Sequence, residues 1–297
     1  MPRVSARQDV EQVFRDAGVV GQVHAVDIDR GVELGVSPDA PVVLASVFKL
    51  PLLVAFYREA AAGVLDPREP VTLRADERCA GPTGTSMLAD DVTMSLRDFA
   101  ALMMTVSDNA AADTVFARVG AAAVDRALRE LGLEHTRVVG DSRMLQDSML
   151  ADSGAAGMAD LWERLDEPGG LARLRALDPA RTSASTPRDM TRLLAMIWRD
   201  EAAAPDACAH MRRLMGLQVW PHRLASGFPY DDVVVSGKTG TLPTIRNEVG
   251  VVEYPDGGRY AVAVFTRSHA LTAVAPHADA AIGTAARRAV GALRSDR

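Results

Sequence analysis

Residues 45–51, Ala45-Ser46-Val47-Phe48-Lys49-Leu50-Pro51, begin an apolar helix and carry both a hydroxyl and an amine. The three-residue spacing of Ser46 and Lys49 puts the two side chains on one helix face, one turn apart. Pro51 supports a helix start, because proline is tolerated only in about the first turn. Serine needs a neighbouring base, and a lysine is that base where burial or cationic neighbours favour its neutral form. The stretch also fits a serine helix cap followed by a solvated lysine.

Two further polar stretches follow along the chain. Ser107-Asp108-Asn109 separates two apolar helical segments and, taken alone, is a capping sequence. Residues 235–241, Val-Ser-Gly-Lys-Thr-Gly-Thr, end a β-branched run. They are not a phosphate-binding loop, because the earlier glycine of such a loop falls at Asp232. A lysine and threonines flanked by glycines at a strand edge suit recognition of a carboxylate laid alongside the strand.

The periodicity of apolar residues around these stretches predicts an α/β (α+β) fold. A helix over 7–17 opens the chain and an alanine-rich helix over 275–293 closes it. The alternation of apolar residues predicts five strands, over 21–29, 31–36, 233–236, 249–254 and 260–266. We therefore expect a five-stranded antiparallel sheet flanked by helices from residues 1–45 and 187–297, an all-helical lobe over 46–186, and the active site between them.

Composition and charge exclude several classes of protein. The 297 residues include 33 Lys and Arg against 39 Asp and Glu, a net charge of −6 that argues against nucleic-acid or anionic-membrane partners. No apolar run approaches the roughly 20 residues of a membrane span. No apolar segment of a signal peptide follows Met1. We expect a soluble, cytoplasmic monomer, or a secreted or periplasmic one if Met1 is not the true start.

The sequence offers no pattern typical of a metal or redox site. Cys79 and Cys208 lie 129 positions apart, so they form neither a disulfide framework nor a Cys-x-x-Cys pair. The six histidines show no ligand spacing. We expect no metal and no cofactor.

Three motifs in order, Ser-x-x-Lys at 46–49, Ser-Asp-Asn at 107–109 and Lys-Thr-Gly at 238–240, resemble those of the penicillin-recognising serine hydrolases, most closely class A β-lactamases. The resemblance extends from about residue 21 to the C terminus and implies a β-lactamase/transpeptidase-like fold. It also implies that Ser46 is acylated, that Lys49 helps to remove its proton, and that Ser107 passes a proton to the leaving nitrogen.

The same resemblance assigns the groups that bind substrate. Asn109 would hold the substrate amide, and the N–H groups of Ser46 and Thr241 would form the oxyanion hole. The substrate carboxylate would be held by Lys238, Thr239 and Thr241. Arg246 on the next strand is similar to the family's carboxylate-binding arginine, although it also fits a solvated strand charge.

The sequence departs from the class A pattern at the loop that supplies the deacylating base. That loop reads Glu-Pro-x-Leu-Asn in the family, and here Glu167-Pro168 matches while Leu171 occupies the asparagine position. Glu167 is therefore either the base that activates the hydrolytic water or an ordinary loop acid. Asp166 is the fallback.

The resemblance implies a serine hydrolase that acts on a β-lactam through an acyl-enzyme. Two alternatives stay open: a cytoplasmic serine esterase or amidase of the same fold, and a protein that a β-lactam acylates with little turnover. In each case we expect the partner to be a small molecule that carries a carboxylate.

Overall fold

The computed structural model describes residues 3–295 of the chain. Its eleven helices are α1 Arg3–Asp16, α2 Lys49–Ala61, α3 Leu96–Thr105, α4 Asn109–Val119, α5 Ala121–Glu130, α6 Ser142–Ser153, α7 Met158–Asp166, α8 Gly170–Arg173, α9 Pro187–Trp198, α10 Pro205–Gly216 and α11 Pro276–Ser295. Its nine strands are β1 Val19–Asp27, β2 Glu33–Val36, β3 Val42–Val43, β4 Pro70–Leu73, β5 Val92–Ser95, β6 Ala184–Ser185, β7 Val234–Leu242, β8 Ile245–Glu253 and β9 Arg259–Ser268.

The chain divides into two compact units. One unit comprises the residues up to Val47 together with those from Ser185 onward, and the other comprises Phe48–Ala184. None of the helices within residues 3–295 combines the length and the apolar character needed to cross a membrane.

A five-stranded antiparallel sheet in the order β2-β1-β9-β8-β7 organises the first unit, as the sequence predicts. Helices α1 and α11 share one hydrophobic core with the sheet, in which Phe14, Val264 and Ile282 are at most 3% exposed. Each such side chain contributes about 1.5–3 kcal/mol by leaving water. Gly21 of β1 makes room for the Phe14 ring, since a Cβ there would lie 2.3 Å from it. This core supports the sheet that carries the Lys-Thr-Gly residues.

Strand β7 is longer than the sequence predicts. The expected strand ended at residue 236, because glycine disfavours strands, yet β7 continues to Leu242 and pairs with β8 along its whole length. Tertiary pairing overrides local propensity here. The Lys-Thr-Gly residues therefore lie within the strand rather than at its end.

The second unit is mainly helical, and the expectation of an all-helical lobe is wrong in one respect. Strands β4 and β5 form an antiparallel pair, in which the hydroxyls of Thr72 and Thr93 are 2.8 Å apart. Helix α6 is a further element that apolar periodicity does not reveal. It begins where the side chain of Asp141 accepts a hydrogen bond from the N–H of Met144, 2.8 Å away, a cap that compensates for a weakly apolar face.

Candidate active site

Ser46 lies in a tight turn on the first unit. The turn is a 3-10 helix, Ala45–Phe48, that runs directly into α2. Ser46 is half-buried, whereas every other residue from Val42 to Phe56 is buried. Ala45 adopts a left-handed φ of 49°, a conformation that costs on the order of 1–3 kcal/mol in a residue other than glycine and that clusters at functional sites. The surrounding core therefore holds the Ser46 turn in one strained shape.

The residues on either side of Ser46 pack against β7. A Cβ on Gly240 would lie 2.6 Å from the carbonyl oxygen of Leu44 and 3.2 Å from the Cβ of Ala45, so only glycine allows this approach. Asn247 fixes the approach from the neighbouring strand, because its buried Nδ2 donates to the carbonyl oxygen of Val43 over 2.8 Å. The first unit thus sets the Ser46 turn beside the Lys-Thr-Gly strand.

Lys49 is fully buried, and the second unit brings it together with Ser107 and Asn109. Its Nζ donates to the carbonyl oxygen of Ser107 over 2.7 Å and to Oδ1 of Asn109 over 2.8 Å. The hydroxyl oxygen of Ser107 lies 3.3 Å from the same nitrogen. The alternative of a solvated lysine is wrong, since no part of the side chain reaches water.

Burial lowers the pKa of Lys49 from its ordinary value of 10.5 to about 8. The negative charges of Asp113 and Asp108, and a smaller effect of Cys79, oppose this shift. A neutral amine has two hydrogens and one lone pair. The two hydrogens match the two oxygens of Ser107 and Asn109 that Lys49 contacts, which leaves the lone pair to accept a proton from a hydroxyl.

The central aspartate of the Ser-Asp-Asn motif has the capping role that its residue type predicts. Asp108 is buried, and its side chain accepts a hydrogen bond from the N–H of Ala111 at the start of α4, 3.1 Å away. It also accepts from the hydroxyls of Thr85, over 2.7 Å, and Ser86, over 3.1 Å. Ser107, immediately before it, has a left-handed φ of 60°. These contacts hold the Ser107 hydroxyl near Lys49.

Strand β7 carries a buried lysine and, three residues later, an exposed threonine. Lys238 is fully buried, and its Nζ donates to the carbonyl oxygen of Thr239 over 3.0 Å. Thr241 is exposed. Its hydroxyl accepts a hydrogen bond from Arg223, 2.9 Å away. The guanidinium of Arg223 also donates to the carbonyl oxygen of Gly240 over 3.0 Å and pairs with Asp279 over 2.6 Å. Arg223 therefore places a second cation on the strand that carries Lys238.

Arg246 is anchored to the main chain. Its side chain is 5% exposed, so the solvated strand charge that the sequence also allowed is wrong. The terminal nitrogens donate to four carbonyl oxygens, those of Leu242, Ile245, Thr272 and Ala273, over 2.9–3.2 Å. Binding of a substrate carboxylate by Arg246 stays a prediction, and a carboxylate would have to displace some of these bonds.

Comparison with known proteins identifies the family. The sequence profile of the beta-lactamase enzyme family matches residues 5–293. The chain belongs to the beta-lactamase enzyme family. The beta-lactamase regulatory protein BlaB of Streptomyces cacaoi is 31% identical, with 98% of each chain covered.

Solved structures of the beta-lactamase family share the fold. A beta-lactamase from Sphaerobacter thermophilus is 24% identical and covers 97% of each chain, with a TM-score of 0.78. A penicillin-G acyl-enzyme complex of a PBP-A variant is 22% identical over 98% of this chain and 97% of that one, also with a TM-score of 0.78. A reconstructed class A ancestor of Gram-negative bacteria is 21% identical over 97% and 99%, with a TM-score of 0.80. These likenesses confirm the expected β-lactamase/transpeptidase-like fold.

The expected deacylating base of a class A member, Glu167, lies at the surface of the second unit. It follows the last residue of α7, and its side chain is 48% exposed. Its two carboxylate oxygens lie 3.4 Å from Arg164 and 3.4 Å from Arg173. The fallback, Asp166, is exposed as well. This placement fits an ordinary loop acid, and the role of Glu167 as base stays a prediction.

Several residues that support the site escaped the sequence analysis. The sequence contains a signal for Asp113, because Asp113 follows Asn109 by four residues on α4 and so shares its helix face. It contains no such signal for Arg223, Glu248 and Asn247, because these residues reach the motif residues only through the pairing of β7 with β8 and the loop before β7. Their charges and hydrogen bonds became visible only in the folded first unit.

Proposed function

We propose that the protein is a serine hydrolase that β-lactams acylate at Ser46 and that releases the acyl group slowly. The observation that carries the proposal is the buried amine of Lys49, which lies one turn after Ser46 and has a pKa lowered to about 8. A base must exchange a proton near the working pH, and a lysine at its ordinary pKa would be almost wholly protonated there.

In the proposed acylation, the lone pair of Lys49 takes the proton of the Ser46 hydroxyl. The Ser46 oxygen attacks the β-lactam carbonyl carbon, and the N–H groups of Ser46 and Thr241 stabilise the oxyanion that forms. When the intermediate collapses, the carbon–nitrogen bond of the β-lactam breaks. The nitrogen takes a proton from the hydroxyl of Ser107, which Lys49, then an ammonium group 3.3 Å away, replaces.

Binding of the substrate would rest on the remaining motif residues. Asn109 would hold the substrate amide, and its carbonyl oxygen is oriented by the Lys49 contact of 2.8 Å. Lys238, Thr239 and Thr241 would hold the substrate carboxylate, with the Arg223 guanidinium adding positive charge beside Thr241.

Slow release follows from the position of Glu167. A water molecule that hydrolyses the ester needs a base, and Glu167 is instead exposed and paired with two arginines. An acylated Ser46 would then persist, and the chain would behave as a β-lactam-binding protein with little turnover.

Time-resolved mass spectrometry of the intact protein tests the proposal. We expect benzylpenicillin to give one covalent adduct per chain that persists long after free penicillin is removed, and Ser46→Ala to give none. Rapid hydrolysis of a chromogenic cephalosporin would contradict slow release while keeping Ser46 as nucleophile. A chain that neither forms an adduct nor hydrolyses any β-lactam, yet cleaves simple esters, would favour the esterase alternative and contradict the proposal.

A regulatory role is the second candidate, favoured by the 31% identity with a beta-lactamase regulatory protein over nearly the whole chain. A regulator that responds to β-lactams needs acylation but not turnover, so it shares the first half of the proposed cycle. Hydrogen exchange measured before and after acylation separates the two roles. A regulator should change protection at a surface far from Ser46, whereas a simple slow hydrolase should change only the site.

A further inference from the structure

We propose that Glu248, acting through Gln218, is a positioning residue that fixes the edge of the Lys-Thr-Gly strand. The inference rests on the proposed function, because it identifies what holds the strand that would bind the substrate carboxylate. Neither residue belongs to the three motifs or to the groups assigned to the chemistry above.

Three hydrogen bonds of equal length join Glu248 and Gln218 to each other, to the turn before β7 and to β7 itself. Glu248 is buried on β8, opposite Thr239 of β7 in the strand register. Its Oε1 accepts from Nε2 of Gln218 over 2.7 Å, and its Oε2 accepts from the N–H of Leu224 over 2.7 Å. The Oε1 of Gln218 in turn accepts from the N–H of Thr239 over 2.7 Å.

The strand itself is adapted to the buried carboxylate. A Cβ on Gly237 would lie 2.6 Å from Oε1 of Glu248 and 3.2 Å from Nε2 of Gln218. The glycine that precedes Lys238 is thus required for the carboxylate to fit against β7. The contact explains why a side chain at this point of the strand would disturb the hydrogen-bond chain.

The direction of this hydrogen-bond chain is determined by its two ends. The N–H groups of Thr239 and Leu224 can only donate, so Gln218 must turn its oxygen to Thr239 and its amide hydrogens to Glu248. Both oxygens of Glu248 then act as acceptors, and the ionised carboxylate is the stronger acceptor for both donors. A proton on Glu248 would weaken these bonds.

Burial and the neighbouring polar groups shift the pKa of Glu248 in opposite directions. Burial raises the pKa of Glu248 from 4.5 to about 7. The hydrogen bonds from Leu224 and Gln218, and the positive charges of Arg223 and Lys238, act in the opposite direction. Modest acidification should therefore protonate Glu248 and weaken the bond between Gln218 and Thr239.

The affected edge is the one at which substrate would bind. In the five-stranded sheet β7 is an edge strand, and Gln218 covers the N–H of Thr239 on the side away from β8. In an antiparallel pair, residues two apart turn their N–H groups to the same side, so Thr241 faces the edge that Gln218 covers. Gln218 thereby sets the strand two residues before the proposed oxyanion-hole donor.

Two measurements on the full chain test the inference. In the first, the backbone amide of Thr239 is followed by NMR as pH is lowered. We expect its resonance to titrate with a midpoint near 7 in the wild type, and to lose that titration in Glu248→Gln. The matched control is Glu253→Gln, which removes a carboxylate from the end of the same strand and should leave the titration unchanged.

In the second, acylation by benzylpenicillin is resolved into the dissociation constant of the encounter complex and the rate constant of the covalent step, at pH 8. We expect Glu248→Gln and Gln218→Met each to weaken the encounter complex by about tenfold, the scale of one buried hydrogen bond, with a smaller effect on the covalent step. Gln218→Met keeps the test valid if Glu248→Gln does not fold.

The outcomes separate the inference from the proposed function. An amide titration that is absent, or that survives Glu248→Gln, overturns the inference. Unchanged encounter constants in both variants overturn it as well. A wild type that no β-lactam acylates contradicts the proposed function, while the Thr239 titration still decides whether Glu248 controls the strand edge.

Discussion

Replacing Asp113 by asparagine should move the pH dependence of Ser46 acylation to lower pH. In the proposed mechanism acylation needs the neutral form of Lys49, and the charge of Asp113 is the strongest of the effects that keep Lys49 protonated. Asparagine removes that charge at nearly constant volume. The variant should therefore react faster than the wild type at neutral pH.

The size of the effect follows from the pKa of Lys49. With a pKa of about 8, roughly one-tenth of Lys49 is neutral at pH 7, against about one part in three thousand at the ordinary pKa of 10.5. Removing a nearby opposite charge lowers a pKa by about one or more. Asp113→Asn should then raise the acylation rate at pH 7 about fivefold. Because burial raises the pKa of Asp113 itself to about 6, the two proteins should converge below that pH.

The assay is the second-order rate constant of acylation by benzylpenicillin, measured from pH 5.5 to 9.5. Asp141→Asn is the matched control. Both aspartates accept hydrogen bonds from main-chain N–H groups at the start of α6, from Met144 to Asp141 and from Ser142 and Arg143 to Asp113. Asp141 is not among the groups that shift Lys49. An Asp113→Asn profile that stays in place or moves to higher pH would refute this reasoning.

Three other substitutions give sharp expectations. The pKa of Lys49 is about 8 in the folded chain against an ordinary value of 10.5, so burial of the charged amine opposes folding below pH 8 and this cost fades between pH 8 and 10.5. The free energy of unfolding of the wild type should therefore rise by up to about 3 kcal/mol relative to that of Lys49→Met from pH 7 to 11. A difference between the two proteins that stays constant with pH in chemical denaturation would argue against the buried amine. Glu167→Gln should leave the lifetime of the acyl-enzyme within about twofold of the wild type, because the exposed, arginine-paired Glu167 does not activate the hydrolytic water in the proposed function and its surface ion pairs add little stability; a much longer-lived mass adduct would restore Glu167 as the base. Gly240→Ala should slow acylation and lower the melting temperature, because the added Cβ would lie 2.6 Å from the main-chain oxygen of Leu44; an active, fully stable variant would show that this close approach is unnecessary.

Much of the fold was open to sequence reasoning because local and tertiary preferences agree in most elements. The sheet alternation around Val23 and Val264 and the apolar faces of the terminal helices predicted the five-stranded antiparallel sheet and the two helices that pack on it. Prediction failed where the two preferences conflict. Gly237 and Gly240 are poor strand residues locally, but their missing side chains admit Glu248 and the Ser46 turn, so β7 continues through them.

The proposed site residues could be named from the sequence where a motif carries its own chemistry, and not where folding supplies the partner. Spacing put Ser46 and Lys49 on one helix face, and the resemblance assigned the roles of Ser107 and Asn109, which stay predictions. The charged groups that surround the Lys-Thr-Gly strand are different. Arg223 and Glu248 lie on separate elements and approach β7 only after the chain has folded, which local patterns do not encode.

The pKa of the Lys49 side chain tests most directly whether Lys49 is a buried base that titrates near neutral pH, and it can be measured without following any other residue type. The 297 residues contain two lysines, Lys49 and Lys238, so a lysine-labelled sample gives two side-chain signals in a carbon–nitrogen NMR spectrum, and Lys238→Arg assigns them. We predict that the Lys49 signal titrates near pH 8, at the pH where acylation of Ser46 becomes half-maximal. A Lys49 midpoint near 10.5 would contradict it.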